Sequence, residues 1–534
     1  MSARHLPSPH LVKSDRRRVS IIGAGPGGLA AAMLLAKAGV DVTVHEARDV
    51  IGGRSSTITG ATPQGTFRFD MGPTFFLYPR VLADIFATCG RNLEDEVELI
   101  RLDPQYHLVF ERGGDIQATG DIARMQAEIA RFSPADAAAF PRFMDDNRAK
   151  LAVFRPVLEN AFNGLRDLMR PPVLKGLSKL RPHRSVDSDL GTYFKDERIR
   201  LAFSFQSKYL GMSPFRCPSL FTILSFMEYE YGVYHPRGGT GAVMAAMARV
   251  ARDLGATIKL NDKVEGIEFA GRRATGVRTK AGTTAADALV IGSDFAHTMT
   301  SLVPDGIRRR WTDKKIGTKK FSCSTFMLYL GIEGTLPDLS HHTIYLADDY
   351  RRNLAEIEAG LAPANPSFYV QNACVTDPAL APPGHSTLYV LVPVGHRMDE
   401  SPDWTVEAPR YRALALERLK RLGVPDIESR IRYEKILTPQ GWETDLSIHR
   451  GATFNLAHNL AQMLHFRPRN RFEDLEGVYL VGGGTHPGSG LPVIFESARI
   501  STKLMAGDLG LDPEWEKSPA VAEPDYVPAI AEAL

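Results

Sequence analysis

Three glycines near the N-terminus have the spacing of a phosphate-binding turn. Gly23, Gly25 and Gly28 separate an apolar run from an Ala/Leu-rich stretch, and Glu46 follows 18 residues after the last glycine. Such glycines allow a tight turn, bring the backbone close to a pyrophosphate and let a helix pack on the sheet, while the acid can bind a ribose hydroxyl. The spacing predicts a dinucleotide-binding unit over 19–46. The alternatives are a mononucleotide site or an empty unit of the same shape.

A second glycine-rich loop lies about 450 residues further along the chain. The segment 477–505 predicts a strand, a loop with five glycines and two prolines, and a helix, whereas a plain strand-to-helix turn needs fewer of either. One loop suffices for a pyrophosphate, so the other favours a different electron-rich group. A flavin is such a group, because a helix N-terminus stabilises the negative charge that hydride transfer to N5 leaves around N1 and the C2 carbonyl. The two loops together predict FAD.

Other candidate chemistry is sparse. Arg54 follows the glycine pair 52–53, and its planar guanidinium suits phosphate oxygens, although a surface turn with a solvated arginine has the same pattern. The sequence has no nucleophile with a neighbouring base. His341 and His342 are adjacent, so they cannot share a helix face, and no acidic cluster accompanies them. We therefore expect no metal site.

Composition excludes several classes of protein. A chain of 534 residues with 44% hydrophobic and 24% charged residues is typical of a soluble globular protein of two or three domains. A net charge of +2 gives no reason to expect nucleic acid as a partner. The four cysteines lie far apart without a CxxC pair, which disfavours a disulfide framework or a zinc knuckle. We find neither a signal peptide nor an apolar run near the ~20 residues needed to span a bilayer, and expect a cytoplasmic protein.

The order of the motifs predicts a discontinuous α/β fold with a Rossmann-like FAD-binding domain and an α+β substrate domain. The alternation of predicted strands and helices stops over 81–228, where the pattern is mostly helical, and it resumes at 237. The predicted division is a disordered lead over 1–18, an FAD-binding domain over 19–80, 237–299 and 470–507, a substrate domain over 81–236 and 300–469, and a flexible tail over 508–534.

One helical segment, 165–184, mixes basic and apolar residues with a single acid, Asp167. This mixture suits a membrane surface, and the alternative is an ordinary exposed helix pair broken by two prolines. Asp167 beside Arg166 is also our candidate for a catalytic carboxylate near an apolar tunnel, against the alternative of a surface ion pair.

The motifs taken together resemble the bacterial-type phytoene desaturases, or carotenoid dehydrogenases. The resemblance runs from about Val19 to Gly507, and the C-terminal GTHPGSGLP is fairly specific because it separates that family from amine oxidases with the same FAD fold. The N-terminal lead and the C-terminal extension fall outside the family's plan. The matching segments are GAGPGGLAAA, VHEA, GGR, AFSFQSKYLGMSPF, YHPRGGTGAVMAAMARVARDLGATI, HHTIYLADDYR, ACVTDPALAPPG, DWTVEAP, FRPRNR and GVYLVGGGTHPGSGLPVIFESA.

The resemblance implies a p-hydroxybenzoate-hydroxylase-like FAD fold with an apolar tunnel, peripheral membrane attachment, and stepwise removal of hydrogen from C40 15-cis-phytoene towards lycopene. Hydride would pass from an allylic carbon to flavin N5 and a proton would leave the neighbouring carbon. The implied site residues are Gly23, Gly25 and Gly28 for the pyrophosphate, Glu46 for the adenosine ribose, Arg54 for phosphate, Val264 for adenine through its backbone, and Gly483, Gly484 and Thr485 for the flavin.

Several other functions are compatible with the same motifs. Diapophytoene desaturation, 3,4-desaturation and carotenoid oxidation at a chain end would use the same cofactor. An amine or amino-acid oxidase would need an aromatic cage and a polar handle for its substrate. A non-catalytic carrier of prenyl lipids on an FAD-type fold is the alternative of another class. Because only one dinucleotide unit is evident, we expect oxygen or a membrane quinone as the electron acceptor.

Overall fold

The computed structural model describes residues 16–511, so most of the predicted lead and tail lies outside the described residues. Within this range, twenty strands form five sheets. The strands are β1 (Arg18–Ile22), β2 (Asp41–His45), β3 (Thr57–Thr62), β4 (Gly65–Asp70), β5 (Phe76–Leu77), β6 (Leu99–Arg101), β7 (Tyr106–Phe110), β8 (Asp115–Ala118), β9 (Val233–Pro236), β10 (Thr257–Lys259), β11 (Val264–Ala270), β12 (Arg273–Thr279), β13 (Gly282–Ala285), β14 (Ala288–Ile291), β15 (Ser324–Glu333), β16 (His342–Leu346), β17 (Phe368–Gln371), β18 (His385–Val394), β19 (Ile431–Leu437) and β20 (Val478–Leu480).

Seventeen α-helices accompany these strands in the described part of the chain. They are α1 (Pro26–Lys37), α2 (Arg80–Thr88), α3 (Leu93–Glu96), α4 (Ile122–Ala130), α5 (Pro134–Leu158), α6 (Pro171–Leu180), α7 (Val186–Leu190), α8 (Glu197–Ala202), α9 (Ile223–Tyr231), α10 (Thr240–Asp253), α11 (Phe295–Leu302), α12 (Asp313–Gly317), α13 (Tyr350–Glu358), α14 (Trp404–Arg421), α15 (Ile427–Arg430), α16 (Pro439–Thr444) and α17 (Leu491–Leu509). No helix between residues 16 and 511 combines the length and apolarity needed to cross a membrane.

A five-stranded parallel sheet gathers three distant parts of the chain. Its order is β10-β2-β1-β14-β20, with every pair parallel. Helix α1 is buried from Gly27 to Ala36 and packs against α10 and α17. Because parallel strands end at the same edge, the turns after β1 and β20 lie at one edge of this sheet, where open α/β sheets bind ligands. This arrangement confirms the predicted α/β fold with a Rossmann-like unit.

A seven-stranded mixed sheet, β19-β15-β18-β17-β16-β7-β8, forms the second large element. Side chains alternate between its faces, as strand geometry requires. On β15, Phe326 and Leu328 face a core that includes α14, whereas Met327 and Tyr329 face the opposite core towards β4. Both faces of this central strand are therefore buried, which explains its uninterrupted apolar sequence.

A helical layer built from α4 to α9 packs over one end of this sheet. Its longest member, α5, begins with Pro134 after Ser133, whose hydroxyl accepts a hydrogen bond from the Asp136 N–H at 3.2 Å. The layer also contains a buried ion pair, in which Lys150 Nζ lies 2.7 Å from Asp189 Oδ2. The space between this layer and the seven-stranded sheet becomes the cavity described below.

Candidate active site

The two glycine loops lie side by side, although they are far apart in sequence. A Cβ added at Gly27 would stand 3.1 Å from the Gly482 nitrogen and 3.2 Å from a methyl group of Val481. Helices α1 and α17, which follow the two loops, pack against each other. The loops therefore belong to one site at the carboxyl edge of the parallel sheet.

The N-terminal loop has the shape of a phosphate cradle. Gly23 adopts a φ of +96°, and its N–H donates to the His45 carbonyl at 2.9 Å. A Cβ at Gly28 would lie 2.1 Å from the Gly23 carbonyl oxygen, so only glycine fits there. At Gly25, no atom lies within 4 Å of the Cβ position, and this residue precedes α1 without a side-chain cap. The free N–H groups of α1 thus face open space, which fits a pyrophosphate.

Glu46 stands at the end of β2 with 6% of its surface exposed. Its carboxylate accepts the N–H of Ala24 at 2.8 Å and the N–H of Arg48 at 3.0 Å. Its backbone carbonyl accepts the N–H of Asp262 at 2.8 Å, which brings the start of β11, with the buried Val264, next to it. The proximity suits the ribose and adenine roles, which stay predictions.

Arg54 lies between the N-terminal loop and the cavity. A Cβ at the preceding Gly53 would be 3.4 Å from the Gly25 Cα, so this turn abuts the phosphate cradle. The Arg54 guanidinium donates to the Thr453 carbonyl and lines the cavity. Burial lowers the pKa of Arg54, and the carboxylate of Asp294 opposes that effect. Its predicted role in holding phosphate is compatible with this position and stays a prediction.

The segment after β4 is fixed over the same site by tyrosines of the large sheet. Tyr329 donates its hydroxyl to the Met71 carbonyl at 2.6 Å, and Tyr389 donates to the Gly72 carbonyl at 2.7 Å. A Cβ at Gly72 would lie 2.8 Å from the Arg54 carbonyl oxygen, so the segment passes directly beside the arginine turn. These contacts connect the arginine turn beside the phosphate cradle to the seven-stranded sheet.

A buried arginine that sequence reasoning missed holds the C-terminal loop. Arg467 has no exposed surface, and it donates to the carbonyls of Gly483 at 2.6 Å, Thr485 at 3.0 Å and three further residues. Burial lowers its pKa to about 9. Arg467 lies in the FRPRNR segment, so that motif was the available signal. A fork with five donors can satisfy several carbonyls of an irregular loop at once.

The three residues predicted to hold the flavin have different surroundings. Gly483 lines the cavity. A Cβ at Gly484 would lie 2.4 Å from the Phe295 Cβ, so this glycine permits a close approach of chain to chain. Thr485 is buried and donates its hydroxyl to the Pro468 carbonyl at 2.7 Å. Direct contact with the flavin stays a prediction for all three.

An apolar cavity of about 410 Å³ opens from the two loops into the space between the sheet and the helical layer. Pro26, Arg54 and Gly483 line its end at the loops. Aromatic and aliphatic side chains supply most of its wall, and several come from the segments 201–210 and 219–236, which are rich in aromatic residues. Those members are Phe205, Tyr209, Leu210, Phe221, Ile223, Leu224 and Met227.

The predicted catalytic pair, Arg166 and Asp167, does not line this cavity. Asp167 accepts the N–H groups of Asn163 at 2.6 Å and Gly164 at 2.9 Å, and it forms an ion pair with Arg170 at 2.6 Å. These bonds hold the pKa of Asp167 below its usual value against the opposing effect of partial burial, whereas Arg166 is exposed. The catalytic role stays a prediction, and turnover of Asp167→Asn separates it from the local role in capping a turn.

Comparisons with known proteins agree with this geometry. The family model of flavin containing amine oxidoreductases matches residues 26–505. A protein of Methylomonas sp. named 4,4'-diapophytoene desaturase (4,4'-diapolycopene-forming) is 44% identical over 496 residues, covering 92% of this chain and 96% of the relative. The lycopene-forming phytoene desaturase of Pantoea ananas is 36% identical over 494 residues, covering 92% and 99%. A solved structure of a putrescine oxidase variant covers 93% of this chain and 99% of its own at a TM-score of 0.62 and 17% identity, a likeness of fold.

The fold and the paired loops define an FAD-dependent oxidoreductase. The chain belongs to the family of flavin containing amine oxidoreductases, and its relatives place it among the carotenoid desaturases, which act on CH–CH groups. The predicted family resemblance, the FAD cofactor and the oxidoreductase class are confirmed. The predicted domain boundaries are not tested by these comparisons and stay predictions.

Proposed function

We propose that this protein removes hydrogen stepwise from 15-cis-phytoene towards lycopene. The observation that carries the proposal is the apolar cavity that opens onto the cradle for FAD. A linear polyene has no polar handle, so its enzyme must select it by the length and shape of an apolar channel. The lycopene-forming relative supports this substrate.

The chain's own residues would bind and orient such a substrate. When bound in the cradle, FAD would supply the acceptor for a hydride from an allylic carbon of the polyene. The apolar wall would keep water from the resulting delocalised cation. A strong base is unnecessary, because a C–H bond beside such a cation is strongly acidic. Most of the cavity wall is apolar, and its polar lining includes Arg54, Thr74, Tyr369, Lys208, Glu159 and Glu496.

A second candidate substrate is 4,4'-diapophytoene, whose name denotes a chain shortened at both ends. The observation in its favour is the relative at 44% identity, which carries that substrate in its name. Desaturation at the 3,4 position and oxidation at a chain end remain alternatives with the same cofactor. A prenyl-lipid carrier has less support, because the space at Gly25 is kept open for a cofactor.

We also propose that the protein docks on a membrane surface beside the cavity. Two short 3-10 helices, Leu165–Met169 and Leu464–Phe466, contact each other. Leu165, Met169 and Phe466 are exposed by 61%, 67% and 42%. Leu464 itself lines the cavity, so this exposed apolar patch adjoins the cavity wall. A polyene dissolved in a bilayer would have a short path to the site.

Basic residues at this patch suit anionic lipid headgroups. Arg166 and Lys179 are exposed, whereas Arg181 pairs with the buried Asp189 at 3.1 Å and would serve the fold. The side chain of Lys175 lies outside the described residues. We expect Leu165→Ser with Met169→Ser to reduce co-sedimentation with anionic liposomes. The control is Val406→Ser, which replaces an exposed apolar residue on α14. Co-sedimentation of the double variant that is no weaker than that of the control would refute the docking site.

The deciding experiment for the function incubates the purified protein and FAD with liposomes that contain either phytoene or diapophytoene. Products are separated by chromatography and identified by their absorption spectra. Longer conjugated polyenes from phytoene support the first proposal, and products from diapophytoene alone support the second. Absence of any desaturated product with both substrates would refute the proposed function.

The electron acceptor is tested in the same assay. We propose oxygen or a membrane quinone, because only one glycine turn with a following acid is present in the sequence. Anaerobic reactions should stop after the bound FAD is reduced and should resume when a quinone is added. Turnover that requires a nicotinamide cofactor would contradict this proposal.

A further inference from the structure

A chain of polar groups leaves the mostly apolar wall at the loop end of the cavity. Thr74 and Tyr369 both line the cavity, and their hydroxyl oxygens are 2.8 Å apart. The Tyr369 hydroxyl also lies 2.7 Å from Nδ1 of His342, behind the wall. Thr74 is two residues from Gly72, which packs beside Arg54, so this chain begins next to the site for FAD.

His342 is built into the protein as a buried neutral imidazole. It has no exposed surface, and its ring stacks on Phe75 with centroids 4.1 Å apart and an interplanar angle of 12°. Its Nε2 has no hydrogen-bond partner among the described residues. Burial, reinforced by the nearby His235, lowers the pKa of His342 well below its usual value. The ring is therefore uncharged at neutral pH and can accept a proton.

Further titratable groups continue behind His342. The rings of His341 and His342 have centroids 4.4 Å apart, and those of His341 and His235 are 4.8 Å apart. His235 Nε2 lies 3.4 Å from Asp377 Oδ2. Arg237 adjoins Asp377 at 3.9 Å, and its side chain is about half exposed. The cluster thus extends from the cavity wall towards the surface and ends on a carboxylate that can offset a positive charge.

This polar arrangement is costly for a wall that only needs to be apolar. A buried donor or acceptor without a partner destabilises the fold by roughly 1–3 kcal/mol. A phenylalanine at position 369 and an apolar residue at position 342 would close the same wall without that cost. The retained chain of hydroxyl and imidazole groups therefore calls for a chemical role.

We propose that Tyr369 and His342 form a proton relay for the step that completes each new double bond, an inference that rests on the proposed desaturation. After a hydride has left the polyene, a C–H bond beside the cation breaks and its electron pair becomes the second bond of the C=C. The proton binds to the Tyr369 oxygen while the proton of that hydroxyl passes to His342 Nδ1. Thr74 orients the phenol, and His342 returns the proton through the Tyr369 hydroxyl to water that enters the cavity when the product leaves.

In this relay Tyr369 is a catalytic residue, because its hydroxyl oxygen takes the proton from the polyene. His342 acts through Tyr369, because it positions the phenol and accepts the proton of its hydroxyl. Neutral imidazole suffices as the acceptor because the cation is a strong acid. The relay needs His342 to present the lone pair of Nδ1, with its proton on Nε2. This tautomer agrees with a Tyr369 hydroxyl that donates to the ring at 2.7 Å.

The test replaces the phenol and keeps the ring. We expect Tyr369→Phe to slow polyene conversion by about a hundredfold, the lower range for loss of general acid-base catalysis, with little change in KM. The wild-type rate should fall in D2O, and this solvent isotope effect should differ in Tyr369→Phe. The control is Tyr411→Phe, which removes another buried hydroxyl, bonded to the Pro363 carbonyl at 2.8 Å and remote from the cavity. An unchanged rate and isotope effect in Tyr369→Phe would overturn the relay.

A second measurement does not depend on turnover. Nitrogen NMR of 15N-histidine-labelled apoprotein, with His342→Gln used to assign the signal, reports the protonation of each ring nitrogen. We expect a hydrogen-bonded, unprotonated Nδ1 at His342 in the wild type and a shifted signal in Tyr369→Phe. A protonated Nδ1 that is unaffected by Tyr369→Phe would overturn the relay. Because this readout needs no substrate, it separates failure of the relay from failure of the proposed function.

Discussion

Replacing Gly25 by alanine should remove FAD binding and spare the fold. No atom lies within 4 Å of the position that a Cβ would take at Gly25, and its φ of −75° and ψ of 177° are allowed for alanine. In the protein without cofactor, losing a glycine at the N-cap destabilises α1, whereas alanine lowers the entropy of the unfolded chain and so stabilises the fold. The two effects roughly cancel, and we expect the free energy of unfolding to change by less than about 1 kcal/mol.

The effect on binding should be much larger. The new methyl group would occupy the open space through which a pyrophosphate approaches the α1 N–H groups. Loss of two hydrogen bonds to a charged group costs about 3–6 kcal/mol. That cost corresponds to a rise of the FAD Kd by roughly two to four orders of magnitude.

Two further glycines give matched comparisons. Gly28→Ala should damage the fold itself, because its Cβ would lie 2.1 Å from the Gly23 carbonyl oxygen. Gly317→Ala, at the end of α12 with no atom within 4 Å of its Cβ position, should change neither property by much. FAD titration followed by flavin fluorescence and thermal unfolding of each apoprotein are the assays. An FAD Kd for Gly25→Ala within threefold of the wild type would refute the placement of the pyrophosphate.

Three other properties can be predicted from buried groups. Arg467→Lys keeps the charge and loses most of five carbonyl contacts, so the free energy of unfolding should fall by about 3–5 kcal/mol in urea denaturation; a loss under 1 kcal/mol would contradict the loop-holding role. Lys150→Met should lower the free energy of unfolding by about 1.5–3 kcal/mol, because Asp189 loses its charged hydrogen bond to Lys150 and keeps the ion pair with Arg181; a loss under about 0.5 kcal/mol would contradict this account. Burial lowers the pKa of His486 to about 4 in the folded protein, whereas the pKa of histidine in the unfolded chain is near 6.5. Between pH 6.5 and pH 4 only the unfolded chain binds a proton at this residue, so the folded state loses stability as the pH falls through that range. Urea unfolding should show that the free energy of unfolding falls by about 3 kcal/mol more in the wild type than in His486→Gln between pH 6.5 and pH 4. The same pH dependence in both proteins would refute this role of His486.

Local patterns were sufficient wherever an element is specified by its own residues. The dinucleotide-binding unit predicted over 19–46 matches the observed β1, α1 and β2 closely. The helical reading of 81–228 missed β6, β7 and β8. Strand β7 pairs with the adjacent β8 and with β16, and β16 is more than 200 residues away, so this second partner is invisible to a local pattern.

The site shows the same limit. Arg467 could not be assigned a partner from sequence, because the carbonyls that it binds belong to loops brought together only by folding. For Asp167, the sequence suggested a distant partner that the structure does not show. Its apolar neighbours in sequence suggested a place beside a tunnel, whereas its carboxylate accepts hydrogen bonds from backbone N–H groups of the same turn. An acid's sequence neighbours do not determine which surface its side chain reaches.

The sequence by itself predicted the dinucleotide site, because a phosphate-binding turn depends on short-range spacing and on the absence of side chains at three glycines. The second glycine loop pointed to FAD, and the family resemblance pointed to the class of chemistry. Only the tertiary structure decided that the second loop faces the first, that Arg467 holds it, and that Thr74, Tyr369 and His342 form one polar chain at the cavity wall. Tyr369 and His342 lie on neighbouring strands of the seven-stranded sheet, whereas Thr74 follows β4 and the two glycine loops follow β1 and β20. Their geometry depends on how the parallel sheet and the seven-stranded sheet pack together, which no local pattern encodes.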